Sequence, residues 1–281
     1  MRFDALGLTE EVQRALKKKN IEESTPVQAG CIPPMREWKD VIAKAPTGTG
    51  KTFAFGIPII EHIDPESEEV QAVIMAPTRE LAMQITAELR DLAVFMSGIR
   101  VVCLYGGAPI GKQIDALKKK PQIVVATPGR LSDHMKRRTV RLDRVQTVVL
   151  DEADRMLDMG FIHDIRRILP LLPERRQTLF FSATMPESIA ALAAKILRNP
   201  VLVTVTPPAS VGETIAQTVH FAEKAEQSQL LIDLLSASDA QQVLVFSRTK
   251  HGADKLAKIL NRAGIRSCAI HGNKSQNARV K

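Results

Sequence analysis

The sequence predicts an α/β protein built on a parallel sheet with helices wound over both faces. Short aliphatic and β-branched runs, such as Ile123-Val124-Val125-Ala126 and Val148-Val149-Leu150, alternate with longer helical stretches. These runs are almost continuously apolar, as strands buried on both faces of a parallel sheet are. A glycine-rich loop also stands directly after the first such run and opens a helical stretch, the layout of a phosphate-binding turn.

Taken in order, Val41-Ile42-Ala43 is the strand that leads into this loop. Val70 to Met75 reads as the next strand. Leu81, Ile85, Leu89 and Leu92 then recur at spacings of four, four and three, a core-facing helical stripe. Val101 to Leu104, Ile123 to Ala126, Val148 to Leu150, Leu179 to Phe181 and Val201 to Val205 continue the strand series. Thr206-Pro207-Pro208-Ala209-Ser210-Val211-Gly212 breaks the rhythm, so a linker is expected over 206–216. The alternation then restarts with expected strands at Thr218 to Phe221, Val243 to Phe246 and Ser267 to Ile270. Leu256, Ile259, Leu260 and Ala263 share a helical face. A first domain over 1–205 and a partial second one over 217–281 follow. The second has about 65 residues and is marginal on its own, burying only about 60% of its unfolded surface.

Composition narrows the function classes. Apolar residues make up 44% and charged residues 25%, as in a soluble globular chain. No apolar run approaches the roughly 20 residues that span a bilayer, and Met1-Arg2-Phe3-Asp4 lacks signal-peptide layout. Cys31, Cys103 and Cys268 form neither a metal spacing nor a disulfide framework, which favours a reducing, cytoplasmic setting. The formal net charge of +8 permits binding to nucleic acid without requiring it. Lys17-Lys18-Lys19 and Lys118-Lys119-Lys120 read as solvated faces.

Two motifs carry chemistry. In Ala45-Pro46-Thr47-Gly48-Thr49-Gly50-Lys51-Thr52, the glycines free backbone N–H groups to face phosphate oxygens. Lys51 reaches the β- and γ-phosphates, and the Thr52 hydroxyl is placed for Mg²⁺. Ala45 stands where the strict pattern has Gly. About 100 residues on, Asp151 follows an apolar strand, as a Mg²⁺ ligand beside a phosphate loop does. Its neighbour Glu152 is placed to position and deprotonate an attacking water. Loop and carboxylates together signify nucleoside triphosphate hydrolysis.

At this point the chain resembles the DEAD-box ATP-dependent RNA helicases. Thr25-Pro26-Val27-Gln28, the glycine loop, Pro77-Thr78-Arg79-Glu80-Leu81, Gly106-Gly107 and Thr127-Pro128-Gly129-Arg130 stand in family order. So do Asp151-Glu152-Ala153-Asp154, Ser182-Ala183-Thr184, Val245-Phe246-Ser247-Arg248-Thr249, and His271-Gly272 with Gln276 and Arg279. The resemblance implies two RecA-like domains, the second incomplete, with ATP and Mg²⁺ as cofactors. It assigns Gln28 to the adenine edge and Phe3 to stacking on the base. It gives Thr47, Gly48, Thr49, Gly50, Lys51 and Thr52 to the phosphates, and Ser182 and Thr184 to the coupling of hydrolysis with strand separation. Asn20 and Ser24 depart from the Gly and Pro usual in the adenine motif.

It also implies RNA contacts at Thr78, Arg79, Gly107, Thr127, Arg130, Arg248, Thr249, Gly272 and Arg279. Helix N-termini bind phosphates, Arg79 and Arg130 add charge there, and Gly106-Gly107 lets a strand approach the backbone closely. Such contacts address the sugar-phosphate chain, so single-stranded RNA or short duplexes are expected with little sequence preference. One Trp and one Tyr leave little for base-stacking platforms. The preference for RNA over DNA comes from the resemblance, not from composition or spacing.

In the family the second domain continues past the Gln276/Arg279 motif and supplies arginines that complete the ATP site. The full-length protein is therefore expected to separate short duplexes by closing two domains around ATP and RNA. The 281 residues alone are expected to bind both weakly and to turn over slowly. Two other readings stay open: an ATP-responsive RNA clamp, and a P-loop ATPase acting on DNA or protein.

Overall fold

The computed structural model describes residues 1–205, 216–274 and 278–279. The chain divides into two compact units, Met1–Val211 and Gly212–Lys281.

The first unit carries the sheet. After a short 3-10 turn at Phe3–Leu6 come α1 (Glu10–Lys18), α2 (Pro26–Arg36), β1 (Val41–Lys44) and α3 (Lys51–His62). Next are β2 (Ala72–Met75), α4 (Arg79–Leu92), β3 (Val101–Leu104), α5 (Ile110–Leu117), β4 (Ile123–Ala126) and α6 (Pro128–Lys136). The unit continues with β5 (Thr147–Leu150), α7 (Ala153–Asp158), α8 (Ile162–Ile168), β6 (Gln177–Ser182), α9 (Glu187–Ile196) and β7 (Val201–Thr204).

The strands lie in the order β3-β4-β2-β5-β6-β1-β7, and every pairing is parallel. Alternate residues of each strand feed opposite faces. Ile74, Val149 and Phe181 join a core with α1 to α4, whereas Val73, Val148 and Phe180 join one with α5 to α9. Burial on both faces is why these strands read as unbroken apolar runs. Phe55 of α3 meets Phe181 edge-on at 5.3 Å, locking the helix behind the phosphate loop against the sheet. In α4, Ile85, Leu89 and Leu92 are buried and Leu81 packs partly against the same core, as their spacing predicts.

Parallel geometry decides where the functional residues sit. Loops at the carboxyl ends of β1, β2, β3, β4, β5 and β6 all open on one edge of the sheet. Every motif of the first unit downstream of Gln28 lies on that edge, where open α/β sheets bind ligands.

The second unit holds α10 (Gln227–Ser236) and α11 (Lys250–Arg262), the latter carrying the expected face of Leu256, Ile259 and Leu260. The three strands expected here do not form among the described residues. A strand is held by its ladder partner and a covered face. These segments have neither, for Phe221 is 96% and Phe246 89% exposed. The expected linker over 206–216 lies outside the described residues except for Ala216, as does Gln276.

Candidate functional site

β5, β6 and β1 are neighbours, so the loops that follow them converge. The loop after β1 is tied to β6 at its start, where Ala45 N–H donates to the Ser182 carbonyl at 3.0 Å. Gly48 and Gly50 take φ of +84° and +87°, the left-handed region that glycine enters without strain. The Thr49 hydroxyl donates to the Pro46 carbonyl at 2.8 Å, closing the turn. Lys51, the first residue of α3, is buried and donates from Nζ to the Ala45 carbonyl at 3.2 Å. Its ammonium is thus folded over the mouth of the loop, and Thr52 follows half-buried.

Gln28 reaches this loop from α2. It completes a capping box in which the Thr25 hydroxyl accepts from Gln28 N–H at 3.5 Å and Gln28 Oε1 accepts from Thr25 N–H at 2.9 Å. Its Nε2 donates to the Gly50 carbonyl at 3.0 Å. A Cβ on Gly50 would overlap this amide. Phe3 lies in the core with 4% of its surface exposed. So little exposed surface departs from the expected stacking on a base. The ring fills the space among the first helices.

Asp151 and Glu152 follow β5. Asp151 is almost fully buried and its Oδ1 accepts from Glu152 N–H at 3.0 Å. Burial pushes its carboxyl up to about 6, while the Lys51 ammonium pulls it down and the Glu152 carboxylate pushes it further up. Glu152 caps α7 at φ +51°, a conformation that costs a non-glycine residue roughly 1–3 kcal/mol and concentrates at functional sites. That turn brings Glu152 Oε1 within 3.4 Å of the Thr47 hydroxyl, which donates to it, and Oε2 within 3.7 Å of Arg155 Nη1. Among the described residues no cluster of three or more His, Cys, Asp or Glu side chains can hold a metal by itself. One buried carboxylate beside a threonine hydroxyl and a phosphate loop fits Mg²⁺, which keeps waters and substrate phosphates in its shell.

Sequence reasoning gives Asp154 no role, and the structure ties it to Thr184, Ser182 and the Arg155 N–H, which donates to Asp154 Oδ1 at 3.0 Å. Thr184 donates to Asp154 Oδ2 from both its backbone N–H and its hydroxyl, each at 2.8 Å. The Ser182 hydroxyl donates to the Thr184 carbonyl at 2.7 Å and accepts from Asp154 N–H at 3.3 Å. Burial raises the Asp154 carboxyl, but the hydrogen bonds from Thr184 and Ser182 outweigh it and hold the group below its ordinary value. The available signal was its place as fourth residue of Asp-Glu-Ala-Asp.

The RNA candidates of this unit gather at the ends of β2, β3 and β4. Thr78 caps α4, its hydroxyl accepting from Leu81 N–H at 3.2 Å. The Arg79 guanidinium packs against Gly107, whose φ is +84°. A Cβ there would come within 2.6 Å of the guanidinium carbon. Arg130 donates from Nη1 to the Ala108 carbonyl at 3.1 Å, and 12% of its side chain is exposed. It braces the loop more than it reaches solvent. Thr127 precedes Pro128 at the start of α6 but does not cap the helix with its hydroxyl.

In the second unit, considered alone, the Thr249 hydroxyl caps α11 by accepting from Gly252 N–H at 2.9 Å. Gly272 lies near Lys250, whose Nζ donates to Asn273 Oδ1 at 3.0 Å. Arg248 is exposed and Arg279 half-buried.

Comparisons with known proteins bear on family and fold. Residues 25–192 match the DEAD/DEAH box helicase family, and residues 226–281 match the helicase conserved C-terminal domain. The DEAD-box ATP-dependent RNA helicase CshA of Geobacillus kaustophilus is 46% identical over 278 residues, covering 99% of this chain and 59% of that protein. Its counterpart from Bacillus subtilis is 45% identical, covering 99% and 56%. The chain thus spans somewhat more than half the length of these curated relatives. A crystal structure of a DEAD box protein from Methanococcus jannaschii superposes with a TM-score of 0.70 at 37% identity, covering 99% of this chain and 75% of that one.

Proposed function

The chain belongs to the DEAD/DEAH box helicase family, and on that premise we propose that it is an ATP-dependent RNA helicase. Hydrolysis of ATP at the ends of β1 and β5 drives local separation of short RNA duplexes in the whole protein. The observation that carries this reading is the run of hydrogen bonds from Lys51 Nζ to the Ala45 carbonyl, from Ala45 N–H to the Ser182 carbonyl and from Asp154 N–H to the Ser182 hydroxyl, ending on the Asp154–Thr184 pair.

The residues divide the work as follows. Gln28 reads the adenine edge while holding the Gly50 carbonyl. Loop amides between Thr47 and Thr52 face the phosphates, and Lys51 leaves the Ala45 carbonyl for the β- and γ-phosphate oxygens. Thr52 and Asp151 hold Mg²⁺, which when bound offsets charge on those oxygens. Glu152 orients a water and takes its proton as the water oxygen bonds the γ-phosphorus and the bond to the β-phosphate oxygen breaks. Thr184 and Ser182 sense the change through Asp154.

Thr78, Arg79, Gly107, Thr127, Arg130, Arg248, Thr249, Gly272 and Arg279 meet the RNA backbone, with Arg130 acting largely by bracing the loop. The first RecA-like domain spans 1–205, a linker 206–216, and part of a second domain 217–281. A cytoplasmic setting fits the three free cysteines. Among the described residues no helix is long and apolar enough to cross a membrane.

The family resemblance implies arginines beyond position 279, and arginine fingers contribute about 10³–10⁵ in rate in comparable phosphoryl transfers. A polypeptide limited to these 281 residues therefore turns over slowly and does not unwind. That the relatives are ATP-dependent RNA helicases by name supports RNA as substrate. The test is duplex separation by the whole protein with ATP and with a nonhydrolysable analogue. Separation that requires ATP supports the helicase. RNA retention on the analogue without separation under either condition points instead to an ATP-responsive clamp.

A further inference from the structure

Behind the Gly106–Gly107 loop lies a buried polar chain that none of the motifs includes. Gln113 of α5 donates from Nε2 to the Tyr105 carbonyl at 2.9 Å. Its Oε1 lies 3.1 Å from His134 Nε2 on α6. His134 Nδ1 lies 2.8 Å from the Thr139 hydroxyl oxygen, which is also 3.1 Å from the His134 carbonyl. Gln113 and His134 are both buried.

The direction of this chain is fixed at one end. A backbone carbonyl only accepts, so the Gln113 amide must turn its NH₂ to Tyr105 and its oxygen to His134. An amide oxygen also only accepts, so His134 must carry a proton on Nε2. Burial, followed by the nearby Arg130, lowers the His134 pKa and favours the neutral ring, with Nδ1 left to accept from Thr139. Asp133 acts against this and Arg137 with it. If the ring is protonated, Nδ1–H donates to Thr139 and the Thr139 hydroxyl turns to the His134 carbonyl. The bond to Gln113 survives in either state.

We infer that Gln113 and His134 are positioning residues that clamp the Tyr105 carbonyl and thereby set the Gly106–Ala108 loop for contact with an RNA backbone. The loop is held at three points: Tyr105 by Gln113, Gly107 by the packed Arg79 guanidinium, and Ala108 by Arg130. The first hold comes from a buried side chain that is not itself among the RNA candidates, unlike Arg79 and Arg130, so it can set the loop without engaging the ligand. This inference rests on the reading of that edge as an RNA surface.

The test pairs a spectroscopic readout with an affinity readout. Nitrogen-15 NMR of the histidine-labelled chain should find His134 protonated on Nε2 and not on Nδ1 at neutral pH. Gln113→Leu should speed amide exchange at Gly106 and Gly107. It should also weaken binding of a fluorescent single-stranded RNA about tenfold, or ~1.4 kcal/mol, while nucleotide affinity stays within about twofold. His134→Gln keeps a donor near the Nε2 position and should retain most of the RNA affinity, whereas His134→Leu should lose it. A His134 ring protonated on Nδ1 alone would overturn the relay. So would a folded Gln113→Leu chain that binds RNA like the parent. If the parent shows the Nε2–H signal but binds no RNA, the RNA surface reading fails and the positioning role fails with it.

Discussion

The Gln28 amide donates to the Gly50 carbonyl at 3.0 Å while its oxygen accepts from Thr25 N–H at 2.9 Å. One side chain therefore caps the helix that carries it and fastens the last residue of the phosphate loop. The residue assigned to the adenine also feels where the loop lies. Gln28→Ala should keep the Thr25 hydroxyl on the residue-28 N–H but lose the reciprocal half of the capping box, at about 1 kcal/mol, and release the loop. Chemical denaturation should show the stability loss, and titration with a fluorescent ATP analogue should show a weaker complex. Normal nucleotide affinity despite the stability loss would mean that the fastening does not shape the site.

Lys51 and Glu152 should separate binding from chemistry. Lys51 has exchanged bulk water for the Ala45 carbonyl and can move to phosphate with little change in burial. Lys51→Ala should weaken nucleotide binding at least tenfold by titration. Glu152→Gln keeps the side-chain volume and should leave binding nearly intact while ending residual hydrolysis. Loss of binding with retained turnover in Glu152→Gln would contradict the assignment of the base.

Asp151 predicts a pH dependence of the ligand-free chain. Its folded value of about 6 lies above the ordinary 3.8, so between these values the folded chain holds the proton more tightly than the unfolded chain. This favourable contribution is full below 3.8 and is lost as pH rises through 6. Asp151→Asn removes the buried charge. It should stabilise the ligand-free chain at pH 8 by up to about 3 kcal/mol, with the gain vanishing towards pH 4. It should also abolish the extra stabilisation that Mg²⁺ gives with ATP. Denaturation curves across pH, with and without Mg²⁺-ATP, check both statements.

Gly107 has a left-handed backbone and no room for a methyl group beside the Arg79 guanidinium. Gly107→Ala should cost about 1–2 kcal/mol of local backbone energy and push Arg79 off the loop. RNA binding should fall and nucleotide binding should not. Equal loss of both would point to a general folding defect.

The sheet was legible because strands buried on two faces must be apolar throughout, as Val148 and Val149 show by feeding opposite cores. Gly48, Gly50 and Lys51 were legible because phosphate binding fixes their spacing. The second unit's helical face at Leu256, Ile259 and Leu260 was legible, but its strands were not, because Val243 to Phe246 has strand composition and lacks the neighbour and cover that make a strand. Phe3 was assigned a stacking role by position, yet its ring fills the core. The left-handed turn at Glu152 and the Gln113–His134 chain leave no periodic mark. One is a single backbone angle, and the other joins residues 21 positions apart.

The most direct test of the account is ATP hydrolysis by this 281-residue chain with and without single-stranded RNA, alongside nucleotide binding. The account predicts Mg²⁺-dependent ATP binding, slow turnover that ends in Glu152→Gln, and no substantial stimulation by RNA. Strong RNA stimulation would contradict it, showing that these residues complete the catalytic site without the arginines expected from the rest of the family's second domain.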